Sequence, residues 1–341
     1  MKNNIVMNNI KKIAFIMSNP RIVASDGVAS QAFTWKKGLE SLGHKVVLVN
    51  LWNKNDWYEY DAILFFSFSP YMKLMIKYIS KMNNNIYVAP IFDPCASIFA
   101  YKCYARWGSE RLKLSNDYHS LWSIKNKIKG FLVRSNYELQ YVSKVFSIEK
   151  SKIKIVPLSY NLKKSKNDII YDREDFCLHI SLLCDKRKNV QRLIEAAKKY
   201  KFNLVLCGLL RDQEEEDMLA SWMNGNEYVK YLGYVSFEEM RELYLKAKVF
   251  ALPSIKEGVG IVALDAAAMG CDVVITNIGG PKEYYDGMAF EVNPFSVDSI
   301  GSSITSCLYG KTFQPQLQKN IEDKNSLESI SLLLEGVLFQ G

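Results

Sequence analysis

Apolar runs of strand length alternate with segments of helical period along most of this chain, and that order calls for βαβ units built on parallel sheets. The first half reads KIAFIM, a helical ASQAFTWKKGLESLG, HKVVLVNL, DAILFFSF, a helix around PYMKLMIKYISKM, and NIYVAPIF. After a less regular stretch around Tyr101 to Trp122, the segments GFLVRS, NYELQYVSKVF and KIKIVP complete a first unit. Ser159 to Asp175 is polar, charged and weakly periodic and follows Pro157, so it reads as a connection. A second series follows: FCLHISLL, NVQRLIEAAKKY, NLVLCGLL, RDQEEEDMLASWM, YVKYLGYV, SFEEMRELYLKA, KVFALPS, IVALDAAAM and DVVITN.

At 341 residues and 48% hydrophobic side chains the chain has apolar surface enough for two cores. The expectation is two doubly wound α/β domains, residues 1–158 and 176–310, joined by a linker at 159–175, with a working cleft between them. A helical tail at 311–336 is expected to return toward the first domain. The final LEGVLFQG resembles the remnant of a protease-cleavable purification tag, so residues 337–341 are expected to stand outside the fold.

Several classes drop out. No run of about 18 apolar residues is present, which excludes a conventional transmembrane helix. The N-terminus MKNNIVMNNIKKIAFIM lacks the apolar core and cleavage site of a secretory signal, which points to the cytoplasm. The seven cysteines are scattered singly with no CxxC, so neither a zinc site nor a disulfide framework is expected.

Charge is unevenly divided. Residues 1–158 hold 23 Lys and Arg against 10 Asp and Glu, whereas residues 159–341 hold 21 against 26. The basic excess is therefore entirely N-terminal, and it fits an acidic acceptor or the anionic inner face of the plasma membrane. Lys73, Lys77 and Lys81, spaced by four, are expected on one helix face, with Leu74, Met75, Tyr78 and Met82 on another. No nucleic-acid motif accompanies the charge, so nucleic acid is not an expected partner.

The chemistry concentrates in PSIKEGVGIVALDAAAMGCDVVITNIGGPKEYYD. A strand ending in ALPS runs into Glu257-Gly258-Val259-Gly260, and a helix starts near Ile261. Glycines at a helix start let the backbone approach a ligand, and the unpaired amides and dipole of the first turn favour phosphate. Asp265 follows one turn later. Two carboxylates thus bracket a gap the size of a diphosphate, and each suits a vicinal diol. The implied ligand is sugar, diphosphate and ribose.

On these residues the chain resembles a retaining glycosyltransferase of the two-Rossmann-domain GT-B fold, in the large family four that uses nucleotide-sugar donors. The family's Glu, seven residues, Glu hallmark stands here as Glu257 to Asp265, with the second acid shortened by one methylene. The resemblance implies that Glu257 contacts the donor sugar, that Gly258, Val259, Gly260 and Ile261 contact sugar and phosphate, and that Asp265 binds the ribose diol. KRKNVQRLIEAA resembles the segment that neutralises the diphosphate, a role that falls to Lys188. The family's preceding strand-end Arg is replaced by Ser181, Leu182 and Leu183, and Arg187 is the substitute. YLGYVSFEEM resembles the nucleobase loop, through Tyr234 and Val235, and SDGVASQAF the Gly-rich loop after the first strand, through Gly27.

The family's His-Asp pair after the fourth strand reads Phe92-Asp93 here. Asp93 and His119 are the acceptor-side candidates, whereas His44 and His179 are expected to be structural. No Asp-x-Asp occurs, so the implied reaction uses no metal and no cofactor beyond a UDP- or GDP-sugar donor. The acceptor implied is a glycan or lipid-linked oligosaccharide of bacterial cell-surface polysaccharide synthesis. A GT-B epimerase or phosphorylase and a non-catalytic sugar-nucleotide-binding subunit are the rival readings.

Overall fold

The computed structural model describes residues 10–17, 27–50, 53–94, 96–107, 116–165 and 172–340. The chain divides into two compact units, Met1–Pro157 with Leu327–Gly341, and Leu158–Ser326.

The first unit runs β1 (Lys12–Met17), α1 (Gly27–Ser41), β2 (Lys45–Leu48), β3 (Ala62–Phe66), α2 (Pro70–Ile79), β4 (Ile86–Ala89), α3 (Ile98–Arg106), α4 (Asp117–Ile124), β5 (Gly130–Val133), α5 (Asn136–Phe146) and β6 (Ile153–Ile155). Its strands form one parallel sheet in the order β2-β1-β3-β4-β5-β6. β3, β4 and β5 are buried along their whole length, as strands covered on both faces must be. The steps from β3 to β6 all move the same way across the sheet. Right-handed crossovers therefore lay α2, α3, α4 and α5 on one face and α1 on the other.

The second unit runs β7 (Glu174–Ile180), α6 (Val190–Tyr200), β8 (Asn203–Cys207), α7 (Gln213–Met223), β9 (Val229–Tyr231), α8 (Phe237–Lys246), β10 (Ala247–Leu252), α9 (Ile261–Ala268), β11 (Asp272–Thr276), β12 (Phe290–Val292), α10 (Val297–Leu308) and α11 (Gln316–Asn325). The parallel order β12-β11-β10-β7-β8-β9 reverses direction between β7 and β10, the dinucleotide-fold arrangement. α9 is walled by Ala263, Ala266, Ala267 and Ala268, all fully buried, and these small side chains let it lie close to the sheet.

The expected linker is not a spacer. Leu158, Ser159 and Leu162 are buried in the second unit. The Arg173 guanidinium donates to the carbonyls of Tyr244, Ala247 and Met269, fixing the entry into β7. The expected tail also divides. α11 packs on α9 within the second unit, whereas α12 (Leu327–Phe339) packs on α1 in the first.

Two expectations are corrected. Val337 to Phe339 continue α12 and belong to the fold, because Leu338 is buried and its carbonyl accepts from Tyr87 Oη at 3.0 Å. His44 secures the same helix, its Nε2 lying 2.8 Å from Glu335 Oε1 while Nδ1 accepts from the Lys11 amide. The second correction is the phase of α2. Ser69 Oγ accepts from the Met72 amide at 3.3 Å and fixes the helix start at Pro70. Met72, Ile76 and Ile79 then take the core face and carry Lys73 inward with them, while Leu74 and Tyr78 turn outward. Among the described residues no helix is long and apolar enough to cross a membrane.

Candidate active site

In an open α/β sheet the ligand crevice lies beyond the carboxyl ends of the strands where their order reverses. In the second unit those ends belong to β7 and β10. After β7, Asp185 accepts from the Arg187 amide at 2.9 Å and caps a single 3-10 turn, Lys186–Lys188. Asn189 follows in the left-handed region at φ 63°. Its buried amide donates to the carbonyls of Pro253 at 2.9 Å and Pro294 at 2.7 Å, pinning this turn to the loops after β10 and β12. The Ile255 amide donates back to the Arg187 carbonyl at 2.8 Å.

The two loops so joined bring Lys188 to Glu257, Nζ to Oε2 at 2.6 Å, with both side chains largely but not wholly buried. Ser254 Oγ donates to the same oxygen at 3.2 Å. Arg187 stands further out, its guanidinium paired with Asp185 at 2.6 Å. That contact holds the Asp185 carboxyl below its usual range. The structure therefore brings Lys188 and Glu257 together and gives Arg187 a separate partner.

Gly260 caps α9 in the left-handed region, at φ 75°. A Cβ there would lie 2.7 Å from Leu252 Cδ2 and would add the strain of a left-handed backbone, so the position favours glycine. Val259 is buried and anchors the loop from beneath, while Gly258 and Ile261 stay partly open. Among the described residues the amides of Ile261 and Val262 have no backbone acceptor, whereas that of Ala263 donates to the Gly260 carbonyl at 2.8 Å, so the helix start is open to an anion in its first two amides.

Asp265, one turn on, is only 3% exposed. Its Oδ1 accepts from the amides of Asn161 at 2.6 Å and Leu162 at 3.0 Å, both in the segment expected to be linker. Burial pushes its pKa up to about 7 against the opposing pull of those two amides. Among the described residues Oδ2 accepts no hydrogen bond.

His179, read from sequence as a buried strand residue, is fully buried at the end of β7. Burial above all, and then the Lys188 charge, lower its pKa to about 4, so it is neutral at pH 7. Nδ1–H donates to the Ala251 carbonyl at 2.7 Å and Nε2 accepts from Ser181 Oγ at 2.7 Å, which locks the ends of β7 and β10 in register. Beside them, Gly208 is needed because a Cβ would meet the Ser181 carbonyl oxygen at 1.8 Å. Tyr234 and Val235 follow β9 and precede the capping box of α8, with Tyr234 exposed and Val235 half-buried.

In the first unit Gly27 opens α1, and open space surrounds the position of a Cβ. Ser25 and Asp26 of the preceding loop lie outside the described residues. Asp93 accepts from Arg134 Nη2 at 2.5 Å. Arg134 Nε in turn donates to Glu138 Oε2 at 2.9 Å, and Glu138 Oε1 accepts from the Phe92 amide at 2.6 Å. This cluster at the carboxyl ends of β4 and β5 was not legible in sequence, because Asp93 lies 41 positions from Arg134. Phe92 is buried among Phe68, Tyr101, Tyr118 and Tyr141. His119 is also buried, its Nδ1 on the Ala105 carbonyl at 3.1 Å and its ring 5.7 Å from Trp122. It therefore packs α4 on α3 and does not face an open site.

The fold and the site define a chain of two Rossmann-like units in which the second carries a glycine-flanked helix start next to the loop that pairs Glu257 with Lys188. Residues 162–324 match the family described as glycosyl transferases group 1. It is 29% identical over 143 residues to the O-antigen chain mannosyltransferase B of Escherichia coli, covering 40% of this chain and 37% of that one. It is 28% identical over 168 residues to the O-antigen chain mannosyltransferase RfbU of Salmonella typhimurium, covering 48% and 46%. The chain thus matches less than half the length of either relative. Anabaena HepE in complex with UDP is similar in structure, with a TM-score of 0.73 at 15% identity over 97% of this chain and all of that one. The fold is GT-B.

Proposed function

We propose that this protein is a retaining glycosyltransferase that moves a sugar from a nucleoside-diphosphate sugar to a glycan or lipid-linked acceptor in cell-surface polysaccharide synthesis. The observation that carries the reading is the Lys188–Glu257 pair, 2.6 Å apart, beside the open first turn of α9. An ammonium next to free amides suits a diphosphate, and a carboxylate at its edge suits sugar hydroxyls. The two O-antigen relatives support a polysaccharide acceptor, and the UDP bound to HepE supports a nucleotide-sugar donor.

In this reading Lys188 and the amides from Gly258 to Ile261 stabilise the departing diphosphate, with Arg187 as a second, more distant cation. Glu257 orients the sugar. Asp265 offers Oδ2 to the ribose diol while Oδ1 keeps its two amides, and Tyr234 and Val235 flank the base. Gly27 lets the donor phosphate come close to the backbone, and Asp93 serves the acceptor side. The bond from the anomeric carbon to the diphosphate oxygen breaks, and the acceptor oxygen bonds to the same face of the sugar. The acceptor proton passes to the leaving phosphate, so no protein nucleophile is needed. With no Asp-x-Asp in the sequence, the reaction is assigned no metal, and activity is expected to survive excess chelator.

The test is a coupled assay for nucleoside diphosphate released when acceptor is added, with the anomeric configuration of the product read by NMR. Acceptor-dependent release with retained configuration supports the proposal. Nucleotide binding without release, or an inverted product, contradicts it.

A further inference from the structure

We infer that the outer surface of the α2–α3 layer in the first unit docks on a bilayer containing anionic lipids. This deepens the lipid-linked acceptor reading but is argued from the first unit alone. A helix that covers a sheet ordinarily turns one apolar stripe to the core and a polar face to water. α2 departs from this, because Met72, Ile76 and Ile79 fill the core face while Tyr71, Leu74 and Tyr78 form a second stripe outside. Leu74 is 64% exposed. On α3 and its C-cap, Phe99, Tyr104 and Trp107 are also exposed, Trp107 by 77%.

The two stripes share one layer. Both helices pack against α4, and the crossover sense puts all three on the same face of the sheet. Exposed aromatic and aliphatic side chains clustered this way mark an interaction surface.

Charge selects the occupant. Between Asp61 and Asp93 the sequence holds no Asp or Glu, and α3 holds none, whereas Lys77, Lys81 and Lys102 are exposed there. A second copy of this face would be repelled by its own lysines. An anionic leaflet attracts them, and Tyr and Trp rings suit the headgroup level where one end of the ring is apolar and the other wet.

The test is co-sedimentation of the full chain with phosphatidylcholine vesicles, with and without phosphatidylglycerol, at low and high salt. Three variants are compared: Leu74→Ser with Tyr78→Ser, Lys77→Glu with Lys81→Glu, and Lys37→Glu with Lys45→Glu. The last pair makes the same charge change on exposed residues of α1 and β2. Circular dichroism confirms folding of each. The expected result is binding that requires phosphatidylglycerol, weakens with salt, and falls on the order of tenfold in each of the first two variants but not in the third. Absence of binding, equal binding to neutral vesicles, or equal loss in the third variant overturns the inference. Thermal stabilisation by UDP or GDP is expected to be the same in all variants. Its absence even in the parent chain would count against the donor reading and leave the docking result standing.

Discussion

Nζ of Lys188 lies 2.6 Å from Oε2 of Glu257, although the two residues are 69 positions apart and come from loops after different strands. Without ligand each charge neutralises the other, and in the proposed reaction the ammonium turns to phosphate and the carboxylate to sugar. Lys188→Ala is expected to lower turnover by about 10²-fold, the scale of one lost electrostatic stabiliser. Glu257→Gln is expected to lower turnover with little change in nucleotide affinity. The double variant should cost clearly less than the product of the two single losses, because each single change leaves the other charge without its partner. Initial rates and calorimetry with nucleoside diphosphate check all three.

Asp265 makes stability depend on pH in a defined sense. Its pKa in the fold, about 7, lies above the ordinary 3.8, so the native state holds a proton that the unfolded chain has released. Stability therefore falls as pH rises between roughly 4 and 7, by at most about 1.4 kcal/mol per pH unit from this group. Asp272, also raised by burial, adds a slope of the same sign. Asp265→Asn keeps an acceptor for the Asn161 and Leu162 amides and is expected to flatten the slope. Asp265→Ala leaves both amides unpaired and should cost about 2–4 kcal/mol. Urea midpoints measured from pH 4 to 8 separate the two variants.

Gly260→Ala is expected to destabilise the second unit. A left-handed backbone costs a non-glycine residue roughly 1–2 kcal/mol, and the added methyl would also press on Leu252. The same change moves the amides offered to phosphate, so a lower melting temperature should be joined by weaker nucleotide binding.

Ending the chain after Gly336 removes Leu338, which is buried against the first unit, and the carbonyl that accepts from Tyr87. The expected loss is about 2–5 kcal/mol, the cost of deleting a buried leucine side chain. A tail without structural weight would leave the urea midpoint unchanged.

Local pattern carried much of the fold, because parallel strands buried on both faces are continuous apolar runs such as AILFF, and Pro157 is where the chain first leaves one unit for the other. The glycine-flanked start of α9 was legible for the same reason: backbone geometry at Gly260 admits few residues. What sequence concealed depends on contacts distant along the chain. Ser159 to Leu162 looked like a spacer because its anchor, Asp265, lies about a hundred residues away. The side chain of Asn189 ties together the loops after β10 and β12, 64 and 105 positions along the chain, which no local pattern announces. In α2 two apolar stripes compete for one core face, and composition does not say which one wins.

A crystal structure with the UDP- or GDP-sugar that stabilises the protein most tests the central claim directly. The account predicts the pyrophosphate on the amides of residues 258–261, Nζ of Lys188 turned from Glu257 to a phosphate oxygen, and the Glu257 carboxylate on sugar hydroxyls. A donor seated elsewhere, or one bound while Lys188 and Glu257 keep their mutual contact and touch nothing of it, would contradict the account.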